Sequence, residues 1–203
     1  MSMLSVKFFI MIKRLFILLL IITCSLHAKA EEDHIFQLPC EFYARKQYSN
    51  SKGLSFETRL YRQNNLIRIE LVDDVAGGAY TILDASNKLI HLIYPNQKQF
   101  ITIPYPGPSS NKDVIDDMFL YLSPQIKIFA VDNDVSTDLY QFNIDDENYE
   151  LLLQRNGLPL RLTMTKGDLK PSVVWLEIVV KEIDSNLLKV PEEYSLLPLL
   201  PQD

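Results

Sequence analysis

The sequence is poor in three residue types that often mark a specific chemistry, with only 2 cysteines, 3 histidines and 6 glycines among 203 residues. Two cysteines are too few for a disulfide-rich scaffold. The scattered glycines form neither a P-loop nor a dinucleotide-binding turn. Basic residues are also in the minority, and a net charge of −6 argues against a general nucleic-acid binder, because phosphate recognition needs a basic surface.

The same scarcity limits enzymatic chemistry. Beyond the N-terminal leader described below, the chain has only His34 and His91, and it contains no G-x-S-x-G motif. The chain therefore lacks the residues of a nucleophilic triad. Only His34 lies near Cys40 in the sequence as a base that could activate it. A zinc site would need three or four suitably spaced ligands. We predict a protein that is not an enzyme and that requires no cofactor or metal.

The strongest metal candidate is the acidic segment 132–138. Oxygen-bearing side chains stand at the first, third, fifth and seventh positions of a calcium loop, at Asp132, Asp134, Ser136 and Asp138. Thr137 occupies the position where such loops have glycine, and the twelfth position is an asparagine rather than a glutamate. A solvated acidic turn between two strands is the favoured interpretation.

The N-terminus has the pattern of an export signal. Lys7, Lys13 and Arg14 precede an unbroken apolar run over residues 15–22, and Ala28-Lys29-Ala30 matches the small-residue pattern before a cleavage site. We predict a signal peptide over residues 1–30, cleaved after Ala30, and a periplasmic or secreted protein. Two alternatives remain open, an uncleaved anchor and a lipoprotein whose Cys24 carries the lipid.

The predicted mature chain is a single domain over residues 31–203. The leader holds four basic residues and no acidic one, so the mature chain has a net charge of −10 and keeps a single cysteine, Cys40. Hydrophobic residues make up 47% of the full sequence, which is enough to build a core and excludes general disorder.

Apolar and polar residues alternate along most of this domain, as in strands with one buried face. In residues 67–71, Ile67, Ile69 and Leu71 share one side, opposite Arg68 and Glu70. The same signal predicts strands over residues 40–48, 54–62, 79–84, 88–94, 98–104, 125–131, 138–144, 149–154, 158–165 and 174–180. Turn residues separate these segments, most clearly Asn156-Gly157, for which we predict a type I′ turn. Short strands joined by tight turns favour a meandering antiparallel sheet.

Residues 113–122 depart from the alternation and predict the main helix of the domain. Five apolar residues fall on one helical face, namely Val114, Ile115, Met118, Phe119 and Leu122. Asp116 and Asp117 lie opposite that face and are expected to be solvated, and Pro124 ends the helix. We therefore expect two consecutive sheet lobes joined through this helix.

The order of these segments resembles a known family. The similarity follows residues 56–61 (FETRLY), 66–70 (LIRIE), 81–84 (TILD), 89–95 (LIHLIYP), 99–102 (QFIT), 155–161 (RNGLPLR) and 188–194 (LKVPEEY). This order is similar to that of the LolA/LolB superfamily of periplasmic lipoprotein carriers, and the chain resembles an outlying member of it. The resemblance implies a half-barrel, that is, a strongly curved antiparallel sheet around a hydrophobic cavity, with the inserted helix as a lid.

The resemblance and the apolar patterning together predict an exported, non-enzymatic carrier or chaperone for a lipid, an acyl chain or a lipidated protein. Transport within the envelope, including sorting of outer-membrane lipoproteins, would then be its role, and the mature protein would not be integral to the membrane. The alternative is a cell-envelope interaction module with a filled core, which binds a protein partner. The residues predicted to line the cavity are Ile67, Ile69, Leu71, Val114, Ile115, Met118, Phe119, Leu160, Leu162, Met164, Leu176 and Ile178.

Overall fold

The computed structural model describes residues 33–72, 77–105, 117, 119–122, 126–133, 137–144 and 147–198. The predicted signal peptide lies outside these residues, as do Val114, Ile115 and Met118 of the predicted helix. The described residues from Asp33 onward belong to one structural unit.

The described residues are mostly β, as the alternation predicts. The strands are β1 (Asp33–Phe36), β2 (Glu41–Ser49), β3 (Ser55–Gln63), β4 (Leu66–Leu71), β5 (Tyr80–Asp84), β6 (Leu89–Tyr94), β7 (Gln99–Pro104), β8 (Ile126–Asn133), β9 (Thr137–Ile144), β10 (Glu147–Gln154), β11 (Pro159–Met164), β12 (Ser172–Val179) and β13 (Ser195–Leu196). One α-helix, α1 (Phe119–Leu122), and two 3₁₀ turns, Pro95–Gln97 and Ser185–Leu188, complete the described elements. The sequence patterns missed β1 and β13, which are too short to show an alternation.

The strands form a single open sheet in the order β1-β8-β9-β10-β11-β12-β2-β3-β4-β5-β6-β7-β13. All neighbours are antiparallel except the parallel pair β7 and β13. The expectation of two lobes joined through the helix was wrong, because β12 pairs along most of its length with β2 and so makes the two series of strands continuous. Backbone pairing, which no side-chain pattern encodes, makes this connection.

One face of the sheet carries the main core, and we call it the inner face. Phe42 and Leu60 on β2 and β3, Ile67 on β4 and Leu151 and Leu162 on β10 and β11 are all fully buried there. Leu120 and Tyr121 of α1 join the same cluster, so α1 packs on the inner face. The prediction that alternating apolar residues point toward one core is confirmed on these strands.

The C-terminal segment packs on the opposite, outer face. The 3₁₀ turn at Ser185–Leu188 lies against β3 and β4, and Leu187 O accepts a hydrogen bond from Arg68. Leu188 and Ile183 are buried, as are Ile82 and Ile93, which face outward from β5 and β6. Both faces of this part of the sheet therefore bury apolar side chains.

Two β-bulges change which residues of β11 and β12 face the core, so the inward residues differ from those that the sequence predicts. On β12 the pairing with β2 shifts between Trp175 and Glu177, so Val173 and Trp175 are buried while Leu176 is 46% exposed. The prediction that Leu176 faces the core was therefore wrong, and Val174 lies on the side opposite Val173 and Trp175. A bulge adds one residue and reverses the alternation beyond it, and Ile178 packs against the core as predicted.

On β11 the corresponding shift falls opposite Leu152 and Leu153. It buries Pro159 and leaves Leu160 only half-buried, while Leu162 and Met164 are buried as predicted. Proline has no N–H to donate to the ladder, which is why it is found at bulges and edges. The Asn156-Gly157 turn is confirmed, but only Gly157 has a positive φ, of 80°, so the turn is not of type I′.

Candidate functional site

The inner face carries a buried ion pair between Lys46 of β2 and Asp117, just before α1. Lys46 Nζ lies 2.9 Å from Asp117 Oδ2 and 3.2 Å from Oδ1. The Lys46 side chain is 0% exposed, and Asp117 as a whole is 2% exposed. Charged groups are rarely fully buried unless they are paired. The prediction that Asp117 is solvated was wrong, because its carboxylate compensates this ammonium group.

Two tyrosines complete the cluster around the carboxylate. Tyr48 Oη donates to Asp117 Oδ1 at 2.6 Å, and Tyr121 Oη donates to Oδ2 at 2.7 Å. Lys46 Nζ also donates to both phenol oxygens, at 2.7 and 3.2 Å. Burial first, and then the charge of Asp117 and the hydrogen bond to it, raise the pKa of Tyr121 well above its ordinary value. The phenol therefore stays protonated and remains a donor to Asp117.

Lys46 lies in a row of inward side chains that crosses four strands. It is paired with Trp175 on β12 and with Thr58 on β3, and Thr58 is paired in turn with Leu71 on β4. Thr58 is 2% and Trp175 is 4% exposed. Neither Thr58 Oγ1 nor Trp175 Nε1 has a hydrogen-bond partner of acceptable geometry among the described residues. The Trp175 N–H nevertheless interacts with the Tyr121 hydroxyl and partly offsets the rise in the pKa of Tyr121.

A second buried cation, Arg62 of β3, contacts α1 through the carbonyl oxygen of Tyr121. Its guanidinium donates to three carbonyl oxygens, those of Asn64, Pro39 and Tyr121, at 3.1, 3.2 and 2.9 Å. Desolvation lowers the pKa of Arg62, although arginine remains charged in proteins. Among the described residues, the buried charged side chains are Lys46, Arg62 and Asp117. The described part of the inner face therefore buries one more positive charge than negative.

Next to this cluster, the inner face becomes apolar and more open across β4–β7. We call this surface the apolar tray, and its residues are Ile69, Leu71, Ile90, Leu92, Ile101 and Ile103. The strand register places them on the same side as Ile67 and Leu83. Five of them are half-buried and Leu71 is 50% exposed. The tray begins at Leu71, directly beside Thr58.

The predicted cavity residues thus divide into several groups. Ile67, Leu162 and Met164 are buried in the core, Ile69 and Ile178 pack against it, and Leu71 lies at the exposed border of the tray. Leu160 and Leu176 are displaced by the bulges. Phe119 belongs to α1, and the remaining three helix residues lie outside the described part of the chain. The structure therefore does not bring all twelve residues to one surface.

A separate cleft of about 490 Å³ lies at the β11–β12 turn. Met164, Leu169 and Pro171 form its apolar part, and the charges of Lys52 and Lys166 are balanced by those of Glu147 and Asp168. This mixture of charges does not favour a ligand of either sign. Of the predicted cavity residues that the structure describes, Met164 lines it.

The described residues give little support for a catalytic histidine or a metal site. His91 faces outward, where its Nδ1 lies 2.9 Å from Thr102 Oγ1, and burial lowers its pKa. No cluster of three or more histidine, cysteine or carboxylate side chains is placed to hold a metal ion within the described ranges. Asp134 and Ser136 of the predicted acidic turn lie outside those ranges. The described helical segments also include none that is long and apolar enough to cross a membrane.

The Lys46 cluster could have been suspected from two features of the sequence. Phe42, Ala44, Lys46 and Tyr48 alternate along β2, which places a lysine in an inward position. Asp117 and Tyr121 are four residues apart, a spacing that brings side chains together on a helix. Neither feature shows that Lys46 pairs with Asp117, which lies 71 residues away in the sequence.

Comparison with known proteins identifies a shared fold. No protein-family model matches the sequence, and no curated protein matches it. A crystal structure of an uncharacterized conserved protein from Thermus thermophilus matches with a TM-score of 0.50 and 12% identity, over 78% of this chain and 90% of that one. The fold therefore has a solved counterpart. At this level of identity the likeness concerns the fold alone.

Proposed function

We propose that the protein is an exported, non-enzymatic carrier or chaperone that holds the acyl chain of a lipid or lipidated protein on the apolar tray. The observation that carries the proposal is the position of the tray. It lies on the core-facing side of the sheet, yet its six residues are only half-buried or exposed. Each methylene group of a ligand that is buried there gains about 0.8 kcal/mol before the costs of ordering.

The neighbouring polar cluster supports an amphiphilic ligand. The tray ends at Leu71, and Thr58 and Lys46 follow in the same row. A ligand lying across this row meets apolar side chains at one end and polar groups at the other. Binding pockets for small molecules commonly combine an apolar wall with a few placed polar groups.

The proposal includes the features implied by the LolA/LolB resemblance, a half-barrel curvature and a lid formed by the segment around α1. The packing of Leu120 and Tyr121 on the inner face supports a covering role for this segment. The leader over residues 1–30 supports export, with lipidation at Cys24 as the alternative to cleavage after Ala30. A periplasmic location would bring the carrier to its lipid or lipoprotein cargo.

Lipid analysis of the native protein tests this function. The protein is purified from its own cell envelope under mild conditions and analysed by native mass spectrometry and lipid extraction. We expect a bound lipid or a lipidated partner, and uptake of a fluorescent fatty acid by the delipidated protein. A protein that carries no lipid and takes up no fatty acid would contradict the proposal.

A matched pair of variants locates the binding surface. Leu71 and Leu176 are 50% and 46% exposed, but only Leu71 belongs to the tray. Leu71→Asp is expected to weaken fatty-acid binding at least about tenfold, because a carboxylate in contact with an acyl chain is costly to desolvate. Leu176→Asp should bind like the wild type. Equal losses in the two variants would place the ligand elsewhere.

The alternative, an interaction module with a filled core, is supported by the other half of the inner face. There Phe42, Leu60 and Leu151 are fully buried, and β1 forms an open edge of the described sheet. An exposed edge can accept a strand from a partner protein. The same purification would then recover a protein partner and no lipid.

A further inference from the structure

We propose that the acyl ligand carries an anionic head group, a carboxylate, and that Thr58 binds it at the border between the Lys46 cluster and the apolar tray. This assignment rests on the carrier function proposed above and adds the chemical class of its ligand. The head group would accept a hydrogen bond from Thr58 Oγ1, and the acyl chain would extend from Leu71 across β4–β7.

The Thr58 hydroxyl lacks the partner that such a head group would supply. It is buried on the inner face and has no hydrogen-bond partner among the described residues. A buried hydroxyl without a partner costs about 1–3 kcal/mol of stability. Valine has nearly the same shape and avoids this cost, so a hydroxyl here is unfavourable for folding alone. A ligand that accepts its proton would offset the cost.

Thr58 also occupies a suitable position in the row of inward side chains. Lys46 lies on one side of it and the half-exposed Leu71 on the other. A head group that displaces the Leu71 side chain would reach the hydroxyl without disturbing the hydrogen bonds between Lys46 and Asp117. Trp175 Nε1, on the far side of Lys46, is a second buried donor without a well-oriented acceptor in the described residues.

The charges buried near Thr58 also favour an anionic head group. Lys46 is matched by Asp117, whereas the three hydrogen bonds that Arg62 makes to described residues all go to carbonyl oxygens. Arg62 is on the same strand and the same face as Thr58, four residues further along β3. Because a low-dielectric interior strengthens electrostatic interactions, the excess positive charge among the described residues favours an anionic over a neutral head group.

The test compares hexadecanoate with its methyl ester, which has the same acyl chain but no charge. Affinities are measured by displacement of a neutral fluorescent probe at pH 8, where the acid is ionised. We expect the wild type to bind hexadecanoate at least about tenfold more tightly than the ester. Thr58→Val should lose most of that preference, whereas Thr81→Val, a matched change on the same face of β5, should keep it.

Stability measurements separate a binding effect from a folding effect. Thr58→Val is expected to unfold at the same urea concentration as the wild type or at a higher one, because it removes an unpaired hydroxyl. If the wild type does not distinguish acid from ester, or if Thr58→Val keeps the full preference, the head-group assignment is wrong while the carrier function stands. If the wild type binds neither compound, both proposals fail.

Discussion

Lys46 and Asp117 form an ion pair that is fully enclosed by the protein, with Nζ 2.9 Å from Oδ2. The pair joins the middle of β2 to the segment that leads into α1, 71 residues away in the sequence. Desolvating two charges costs several kcal/mol per ion, and the mutual attraction of the charges offsets this cost only when the surrounding hydrogen bonds are complete. Tyr48 and Tyr121 provide those hydrogen bonds here. The cluster thus specifies where α1 docks on the inner face.

Removing one partner of this pair should destabilise the protein strongly. Lys46→Met or Asp117→Leu leaves the other charge buried and unpaired, so each is expected to lower the free energy of unfolding by about 3–5 kcal/mol. Chemical denaturation monitored by circular dichroism measures the loss. The double variant Lys46→Met/Asp117→Leu, which buries no charge of this pair, should recover most of the lost stability. A double variant as unstable as the sum of the single ones would contradict a specific pairing.

Tyr121 should make the stability of the protein sensitive to alkaline pH. Its folded pKa is raised well above 10.0, so above about pH 10 the unfolded chain releases this proton while the folded protein keeps it. The free energy of unfolding therefore falls as the pH rises from the ordinary pKa of tyrosine toward the raised folded value. Urea unfolding between pH 8 and pH 11 should show a steeper decline for the wild type than for Tyr121→Phe. Parallel curves would contradict the prediction, since the other tyrosines titrate in both proteins.

Because of the bulge on β12, truncating Leu176 should lower the free energy of unfolding much less than truncating a leucine in the core. Leu162→Ala removes a fully buried side chain and is expected to cost about 2–5 kcal/mol, while Leu176→Ala removes a largely exposed one and should stay within about 0.5 kcal/mol of the wild type. Urea denaturation of the two variants measures both values. A large cost at Leu176 would mean that the alternation continues without a bulge and that Leu176 packs in the core.

Much of the sheet could be predicted from the sequence because its physical basis is local. Alternation of the type seen in residues 67–71 depends only on the period of two in a strand, and turns such as Asn156-Gly157 depend on residues that tolerate unusual backbone angles. The sequence-based predictions fail where contacts between residues far apart in the sequence override the local strand pattern. At Leu176 one inserted residue reversed the inward face, and β1 is defined only by its pairing with β8.

The candidate site was less predictable for the same reason. The apolar residues Ile67, Ile69 and Leu71 were identified by their pattern, but Lys46, Thr58 and Trp175 lie on three separate strands that only the sheet brings into one row. The pattern of the helix alone predicts a solvated Asp117, because it contains no information about the strand on which the helix packs. The position of Asp117 on the inner face depends on the cation beneath it.

The scarcity of cysteine, histidine and glycine already argued against disulfide scaffolds, nucleotide-binding loops and common catalytic sites, and alternation alone determined that the chain is rich in strands. These properties follow from composition and from contacts between residues that are close in sequence. Only the tertiary structure decided that the strands form one sheet, that Lys46 is buried against Asp117, and that Thr58 lies at the border of an apolar surface. Each of these depends on strand pairing and on the desolvation of distant groups, which take effect once the whole chain has folded.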